Sequence, residues 1–265
     1  MTPVRRDRVS GVALRTVAAV LFLLLVAPIA VVVGTAFGRT SAVTFPPLGL
    51  SLRWFGALAD DPRWLSAVVN SVFVGVATTT VSLAVGGSAA VGVRRVGRRT
   101  RRLVSAAAVL PLLVPGAVLG VTLLVFFSRF SLQQSYLAIV LAHCLWAVPL
   151  AFSVTRATLA RFDWRLYEAA RDVGATPVTA FREVVAPNVR AGALAAATVA
   201  FVVSLQEFVM TLFLAGPDTR TVPVLAWNSL RGSLDPLVSV VSTLLVATVL
   251  VVVAAVGVER VAGDT

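Results

Sequence analysis

The sequence predicts an all-α membrane protein with six transmembrane helices, and three observations carry this prediction. The 265-residue chain is 58% hydrophobic and only 13% charged, whereas a soluble domain carries about 25% charged residues. Its mean hydropathy is +0.93. Apolar runs of about 20 residues, the length of helix that crosses a bilayer, recur along the chain. We expect one membrane domain over residues 1–265, with spans at about 13–37, 66–93, 103–127, 135–154, 191–214 and 237–258.

The first apolar run, residues 13–37, resembles a signal peptide by position but not by composition. It exceeds the roughly 7–15 residues of a signal-peptide core, and it lacks a clear small-x-small cleavage site. We therefore predict that this segment is a retained transmembrane helix in contact with the lipid bilayer.

The arginines predict the orientation of the chain, because all 23 basic residues are Arg. Seventeen lie near the two chain ends and in the loops after the second and fourth spans, whereas six lie elsewhere. Since cytoplasmic loops accumulate positive residues, we expect both termini in the cytoplasm. The loop after the fourth span, residues 156–190, is the charged loop and should also be cytoplasmic. Topology accounts for the net charge of +11, so we expect no nucleic-acid partner.

Catalytic chemistry finds little support in the residues available. The chain contains no Lys, and a Walker A loop needs a Lys on the nucleotide phosphates. The single His143 and single Cys144 exclude a disulfide framework or a Cys/His metal cage. We expect a buried, hydrogen-bonded His and a packed Cys, with no catalytic or metal residue. An intramembrane enzyme remains a remote alternative that would need convergent catalytic groups.

Glycine and proline positions predict close helix contacts and helix breaks within the spans. Gly116 and Gly120 form a GxxxG pair, and Ser88 with Gly92 forms a similar small-xxx-small pair. Both allow helix backbones to approach closely. The prolines within spans predict kinks or broken helices, which are tolerated next to protein or a water-filled cavity; they are Pro111, Pro115 and Pro149.

Capping residues divide the charged loop into two short helices. Asp163 can cap a helix that runs to about Val173, where Gly174 would stop it in a left-handed conformation. Thr176 followed by proline is typical of the start of a second helix, and Pro187 would end that helix.

Each of these two helices carries an apolar stripe, although the loop should face water. The stripes consist of Leu166, Ala169, Ala170 and Val173 in the first helix, and Val178, Phe181, Val184 and Val185 in the second. A solvated loop with ordinary charge pairs is the alternative interpretation, but it does not explain the two capped helix ends or apolar stripes on a loop that faces water.

The stretch "EAARDVG", followed after nine residues by "VVAP", resembles the loop signature of permease subunits of binding-protein-dependent ABC importers. The matching residues are Glu168, Ala169, Ala170, Gly174, Val184 and Pro187; Ala186 replaces the usual Leu. Further stretches are most similar to the second permease of spermidine/putrescine-type systems, including "LPLLVPGAVLGVTLLVFF" and "SLQEFVMTLFLAGPDTRTVPVLAWNSLRGSLDP".

This resemblance implies a fold, a location and a set of partners. The fold is that of a type I ABC importer permease, in the plasma membrane of a prokaryote. The charged loop would form coupling helices that dock on a dimer of ATP-binding subunits. ATP and Mg would be held there, with no cofactor in this chain. A second permease, favoured as a paralogue, would complete the pathway, and an extracellular solute-binding protein would deliver the solute.

The candidate substrate path centres on Glu207, the only clearly intramembrane acid, and on its neighbour Gln206. An acid inside the membrane either lines a solute path or pairs with an Arg or polar group, and both alternatives stay open. The resemblance implies a polyamine or another small cation. However, Gln206 and Gly116 stand where related permeases carry acids. Iron, thiamine, phosphonate and oxyanions are therefore alternative solutes, and a secondary transporter is a remote alternative.

Overall fold

In the computed structural model, residues 3–41, 43–232 and 235–263 are described, with side chains described for most of residues 14–251. The described residues form helices joined by short segments, without an extended strand. The helices are α1 (Pro3–Ala36), α2 (Arg53–Asp60), α3 (Pro62–Ser82), α4 (Ser88–Gly92), α5 (Arg98–Val109), α6 (Gly116–Ser128), α7 (Tyr136–Arg161), α8 (Arg165–Asp172), α9 (Pro177–Ala180), α10 (Ala186–Gln206), α11 (Val209–Leu214), α12 (Val222–Gly232) and α13 (Pro236–Gly263).

Among the described residues, four helical stretches are long and apolar enough to cross a membrane. They are Leu14–Ala36, Pro62–Gly92, Tyr136–Arg161 and Pro177–Gln206. The pair Arg98–Leu113 and Gly116–Ser128, bent by 94°, can supply a fifth span, and α13 is apolar over Pro236–Val251. The prediction of an all-α membrane fold is confirmed, while the count of six spans stays a prediction. The two chain ends lie outside the described residues.

Prolines act differently at the three predicted break points. Pro111 lies in a 3₁₀ turn, Leu110–Leu113, that directly follows α5. The bend of 94° falls between Leu113 and Gly116, so the predicted break at Pro115 is confirmed. In contrast, α7 continues through Pro149 as one helix from Tyr136 to Arg161. Proline removes one backbone hydrogen bond, and α7 tolerates this loss without a break.

The prediction that Pro187 ends the second helix of the charged loop is wrong. A π-helical turn, Phe181–Val185, joins α9 directly to α10, so one helical stretch runs from Pro177 to Gln206. The ring of a helical proline clashes with the carbonyl four residues earlier, and the wider π turn relieves this crowding. In addition, Asn188 Nδ2 donates to the Val184 carbonyl at 2.7 Å.

The chain divides into two compact units, and the prediction of one domain over residues 1–265 stays a prediction. One unit comprises residues 1–61 and 228–247. Within it, Thr35 Oγ1 of α1 lies 3.1 Å from Ser239 Oγ of α13. The apolar side chains of α1 from Leu14 to Leu25 are more than half exposed, as expected of a helix that faces lipid.

The other unit comprises residues 62–227 and 248–265, and α3, α7 and α10 pack together in it. Glycines allow the closest approaches. A Cβ atom on Gly120 would lie 2.6 Å from the Phe213 ring of α11, so the predicted close contact at the GxxxG pair is confirmed. No close contact forms at Ser88 and Gly92 within the described residues, because Ser88 is exposed and a Cβ on Gly92 would meet none of their atoms within 4 Å; that pair stays a prediction.

Candidate functional site

The charged loop has the two capped helix starts and the glycine stop that its sequence predicts, although its second helix runs on into α10. Asp163 Oδ1 accepts the N–H of Arg165 at 3.0 Å where α8 begins. Gly174 ends α8 with a φ of +93°, and the N–H of Ala175 donates to the Ala170 carbonyl at 3.1 Å. This pattern is a Schellman motif. Thr176 Oγ1 then accepts the N–H of Thr179 at 3.2 Å and starts α9.

An uncovered apolar face follows from this geometry. Leu166 is 50% exposed, Val173 is 87% exposed and Val178 is 66% exposed. In contrast, Val185 is fully buried in a cluster with Phe152 and Leu159 of α7. The predicted stripes therefore divide into a part that packs on the chain itself and a part, the bare face (Leu166, Val173 and Val178), that has no cover within the described residues.

Aromatic side chains hold the base of the charged loop. The Trp164 indole N–H donates to the Leu159 carbonyl at 3.0 Å, and its ring packs edge-on against Phe162 with centroids 5.0 Å apart. The Arg94 guanidinium lies 3.2 Å above the same ring. Partial burial lowers the pKa of Arg94, as does Arg101. Arg94 stays charged, because a guanidinium is not deprotonated in proteins, and it therefore stabilises the ring from the face.

We predict that Arg94→Ala loosens the charged loop. Loss of a cation–π contact of about 1 kcal/mol raises the population of open loop roughly fivefold, and protease cleavage follows that population. Trypsin should therefore cleave at the loop arginines about fivefold faster, as measured by gel densitometry. The adjacent, exposed Arg95→Ala is the control; equal acceleration by both variants would contradict the prediction.

Glu207 belongs to a second constellation, the buried polar cluster of His143, Ser204, Glu207 and Thr211. These side chains come from α7, from α10, from the break after α10 and from α11, and they are between 0% and 4% exposed. His143 Nδ1 lies 2.7 Å from Ser204 Oγ, and His143 Nε2 lies 2.7 Å from Thr211 Oγ1. The predicted buried, hydrogen-bonded His and buried Cys144 are confirmed.

Gly116, the first residue of α6, lies close to two other helices. A Cβ on Gly116 would lie 3.1 Å from the Trp146 ring and 3.4 Å from Val209 Cβ. Any side chain at this position therefore requires the Trp146 ring to shift by a few tenths of an ångström.

A groove of about 580 Å³ lies away from the charged loop, beside the start of α7. Asn70 holds one wall, because its Nδ2 donates to the carbonyls of Asp218 and Arg220 at 2.9 Å each. The Tyr136 hydroxyl donates to Asn70 Oδ1 at 2.7 Å. The arginine distribution along the sequence predicts that this groove faces outward.

The structure gathers the loop residues predicted for coupling in one region and leaves Gln206 and Glu207 at the far end of α10. That helix has 21 residues, or about 30 Å at 1.5 Å per residue. Gln206 is exposed and Glu207 is buried.

The sequence did not predict three features of the structure: the break after Gln206, the pairing of His143 with Glu207 and the contact of Arg94 with Trp164. The only available signal was that the lone His and the lone intramembrane acid both lie in apolar spans.

The membrane-crossing helices define a multi-pass membrane protein, and its capped loop leaves the bare face uncovered within the described residues. Comparison with known proteins then gives the class. The profile of the binding-protein-dependent transport system inner membrane component matches residues 82–262. The chain belongs to this family, the permease subunits of ABC importers.

Related permeases transport different solutes. The chain is 30% identical to the putrescine transport system permease protein PotI of Escherichia coli (strain K12), over 86% of this chain and 83% of the relative. It is 26% identical to the spermidine/putrescine permease PotC of the same strain, over 78% of each. It is also 29% identical to the trehalose permease SugB of Mycobacterium tuberculosis, over 71% of this chain and 70% of the relative.

Solved structures share the fold at low sequence identity. A bacterial ABC transporter involved in the import of the acidic polysaccharide alginate matches with a TM-score of 0.72 at 14% identity, over 97% of each chain. The MetNI methionine ABC transporter matches with a TM-score of 0.59 at 21% identity, over 76% of this chain and 97% of that chain. The expected importer permease fold is confirmed.

Proposed function

We propose that this permease forms half of the translocation pathway for putrescine or another small cationic solute in an ATP-driven importer. The observation that carries the solute class is the 30% identity to a putrescine permease over 86% of the chain. The trehalose relative makes an uncharged sugar the natural comparison solute. Iron, thiamine, phosphonate and oxyanions remain alternatives within the same transporter class.

The bare face on the charged loop supports one partner of this proposal, the ATP-binding subunits. A dimer of ATP-binding subunits, which holds the ATP and Mg, covers Leu166, Val173 and Val178. Full burial of an exposed side chain of this size contributes about 1.5–3 kcal/mol, and these side chains, which are 50%, 87% and 66% exposed, would each contribute a corresponding part of it. A second permease completes the pathway, and an extracellular binding protein delivers the solute to the opposite face. In this arrangement both termini of the chain are cytoplasmic.

Transport in this proposal proceeds by alternating access. Closure of the ATP-binding dimer moves the two charged loops, and each loop moves its permease. Two features of this chain support such a transfer. The π turn makes α9 continuous with α10, so that a displacement of the loop is carried along one helical stretch. Furthermore, Val185 and Leu159 are buried together with Phe152 at the base of the loop, which resists local slippage.

The candidate path residues have different environments. Both oxygens of the Glu207 carboxylate already accept hydrogen bonds from α11, which favours the structural alternative for this residue. Gln206 is exposed beside the helix break, and it stands where related permeases carry an acid. We therefore propose Gln206 as the better candidate for contact with the solute.

The solute class is tested by uptake in the organism that encodes the chain. Deleting the gene should abolish uptake of radiolabelled putrescine and leave trehalose uptake unchanged, and a plasmid copy should restore putrescine uptake. Loss of trehalose uptake alone would overturn the polyamine proposal and assign a sugar.

We predict that Gln206→Glu lowers the KM for putrescine about fivefold. An exposed ion pair contributes up to about 1 kcal/mol, which corresponds to this factor. Gln133→Glu supplies the matched control, because it makes the same change at another exposed glutamine. An unchanged KM, or an equal effect of both substitutions, would show that residue 206 does not contact the solute.

A further inference from the structure

The break between α10 and α11 is stabilised by one carboxylate. Glu207 has extended backbone angles, with φ −68° and ψ 118°, so the helix cannot continue through it. Its Oε1 accepts the N–H of Met210 at 2.7 Å, and its Oε2 accepts the N–H of Thr211 at 3.0 Å. These two amides belong to the first turn of α11 and have no carbonyl partner within their own helix. The carboxylate is therefore the cap of α11.

The positions of the Thr211 hydroxyl proton and the imidazole proton determine the role of His143. The Thr211 hydroxyl donates its single proton to Glu207 Oε2 at 2.6 Å. With the Glu207 carboxylate ionised, the Thr211 oxygen accepts from His143 Nε2, 2.7 Å away, and Nε2 carries the proton. The same Nε2 lies 3.3 Å from Glu207 Oε2. On the other side of the ring, Nδ1 contacts Ser204 Oγ at 2.7 Å. The imidazole thus connects α7 to the last turn of α10 and the first turn of α11.

The position of α11 matters because another helix packs closely against it. A Cβ on Gly120 of α6 would lie 3.2 Å from Met210 Cα, so the two backbones are nearly in contact. Met210 is the residue whose amide Glu207 caps, and it is fully buried. A shift of the α11 start would therefore displace α6, whose own first residue, Gly116, follows the 94° bend.

We propose that His143 is a positioning residue that holds the Glu207 carboxylate in place as the cap of α11. It thereby sets the conformation of the break between α10 and α11. In this proposal His143 does not touch the solute. Its effect on transport rests on the proposed function, whereas its effect on the cap does not.

Hydrogen–deuterium exchange of the assembled transporter in nanodiscs tests the cap directly. The amides of Met210 and Thr211 should exchange slowly in the wild type, because they are buried and bonded to Glu207. We expect His143→Leu to raise their exchange rate at least tenfold. His143→Gln keeps an N–H donor and should restore most of the protection. Cys144→Ser, a buried neighbour outside the cluster, should leave the rate unchanged.

A packing role would give a different pattern. If Leu and Gln at position 143 had equal effects, or if neither changed the exchange of these two amides, the proposal would be overturned. Thr211→Val, which is nearly isosteric, serves if His143→Leu does not assemble, and it should raise the exchange of the Met210 amide severalfold. If the Met210 amide of Thr211→Val exchanged at the wild-type rate, the cluster would not hold the Glu207 carboxylate in place, and the proposal would be overturned.

Uptake kinetics separate the two proposals. With radiolabelled putrescine, His143→Leu should lower the maximal rate at least fivefold and change the KM less than twofold, because no solute contact is lost. A raised KM at an unchanged maximal rate would assign His143 to the solute path and overturn the positioning role. Failure of the wild type to transport putrescine would refute the proposed solute, while the exchange result would still decide the role of His143.

Discussion

Gly174→Val is expected to uncouple ATP hydrolysis from solute uptake without preventing membrane insertion. Gly174 has a φ of +93°, and a non-glycine residue in a left-handed conformation costs roughly 1–2 kcal/mol, with more for a β-branched side chain. This cost does not arise from a steric clash, because a Cβ at this position would meet none of the described atoms within 4 Å. The strain would therefore be relieved by a change in the angle between α8 and α9.

The measurement is the ratio of ATP hydrolysed to solute imported by the purified, reconstituted transporter, and we expect it to rise at least tenfold. Gly97→Val is the matched control. Gly97 also lies in open space outside the apolar spans, but its φ is −62°, which any residue can adopt. Gly174→Asn should retain coupling, because Asn tolerates the left-handed region. Normal coupling by the Val variant would show that the angle is not set by Gly174.

The second large effect is expected from charges on the bare face. The double substitution Leu166→Glu and Val173→Glu should abolish association with the ATP-binding subunits. These side chains are 50% and 87% exposed, so their replacement should change the stability of the permease itself by only about 0.5 kcal/mol. In an interface, however, each unpaired buried carboxylate costs several kcal/mol.

Copurification through an affinity tag on the permease measures this association. Arg182→Gln, at an exposed position of the same loop outside the bare face, is the control and should copurify normally. Retention of the ATP-binding subunits by the double variant would locate their docking surface elsewhere on the chain.

Local rules predicted much of the charged loop because its structure depends on nearest neighbours. Asp163, Gly174 and Thr176 act on backbone groups within five residues of themselves, and such contacts can be recognised from residue type and spacing. The wrong prediction at Pro187 also came from a local rule, which the neighbouring structure overrides. A proline is a strong local signal to end a helix, but the π turn and the Asn188 side chain offset its cost.

Membrane location, the positions of most apolar helices and the family were determined by the sequence itself, because composition, hydropathy and one loop signature carry that information locally. Only the tertiary structure decided the role of Glu207. His143 and Glu207 are separated by 64 residues in sequence, yet lie 3.3 Å apart, and no periodicity or capping rule connects them. A buried carboxylate must find hydrogen-bond donors wherever the packing of helices brings them. In this permease, those donors are the first turn of α11 and a histidine on α7.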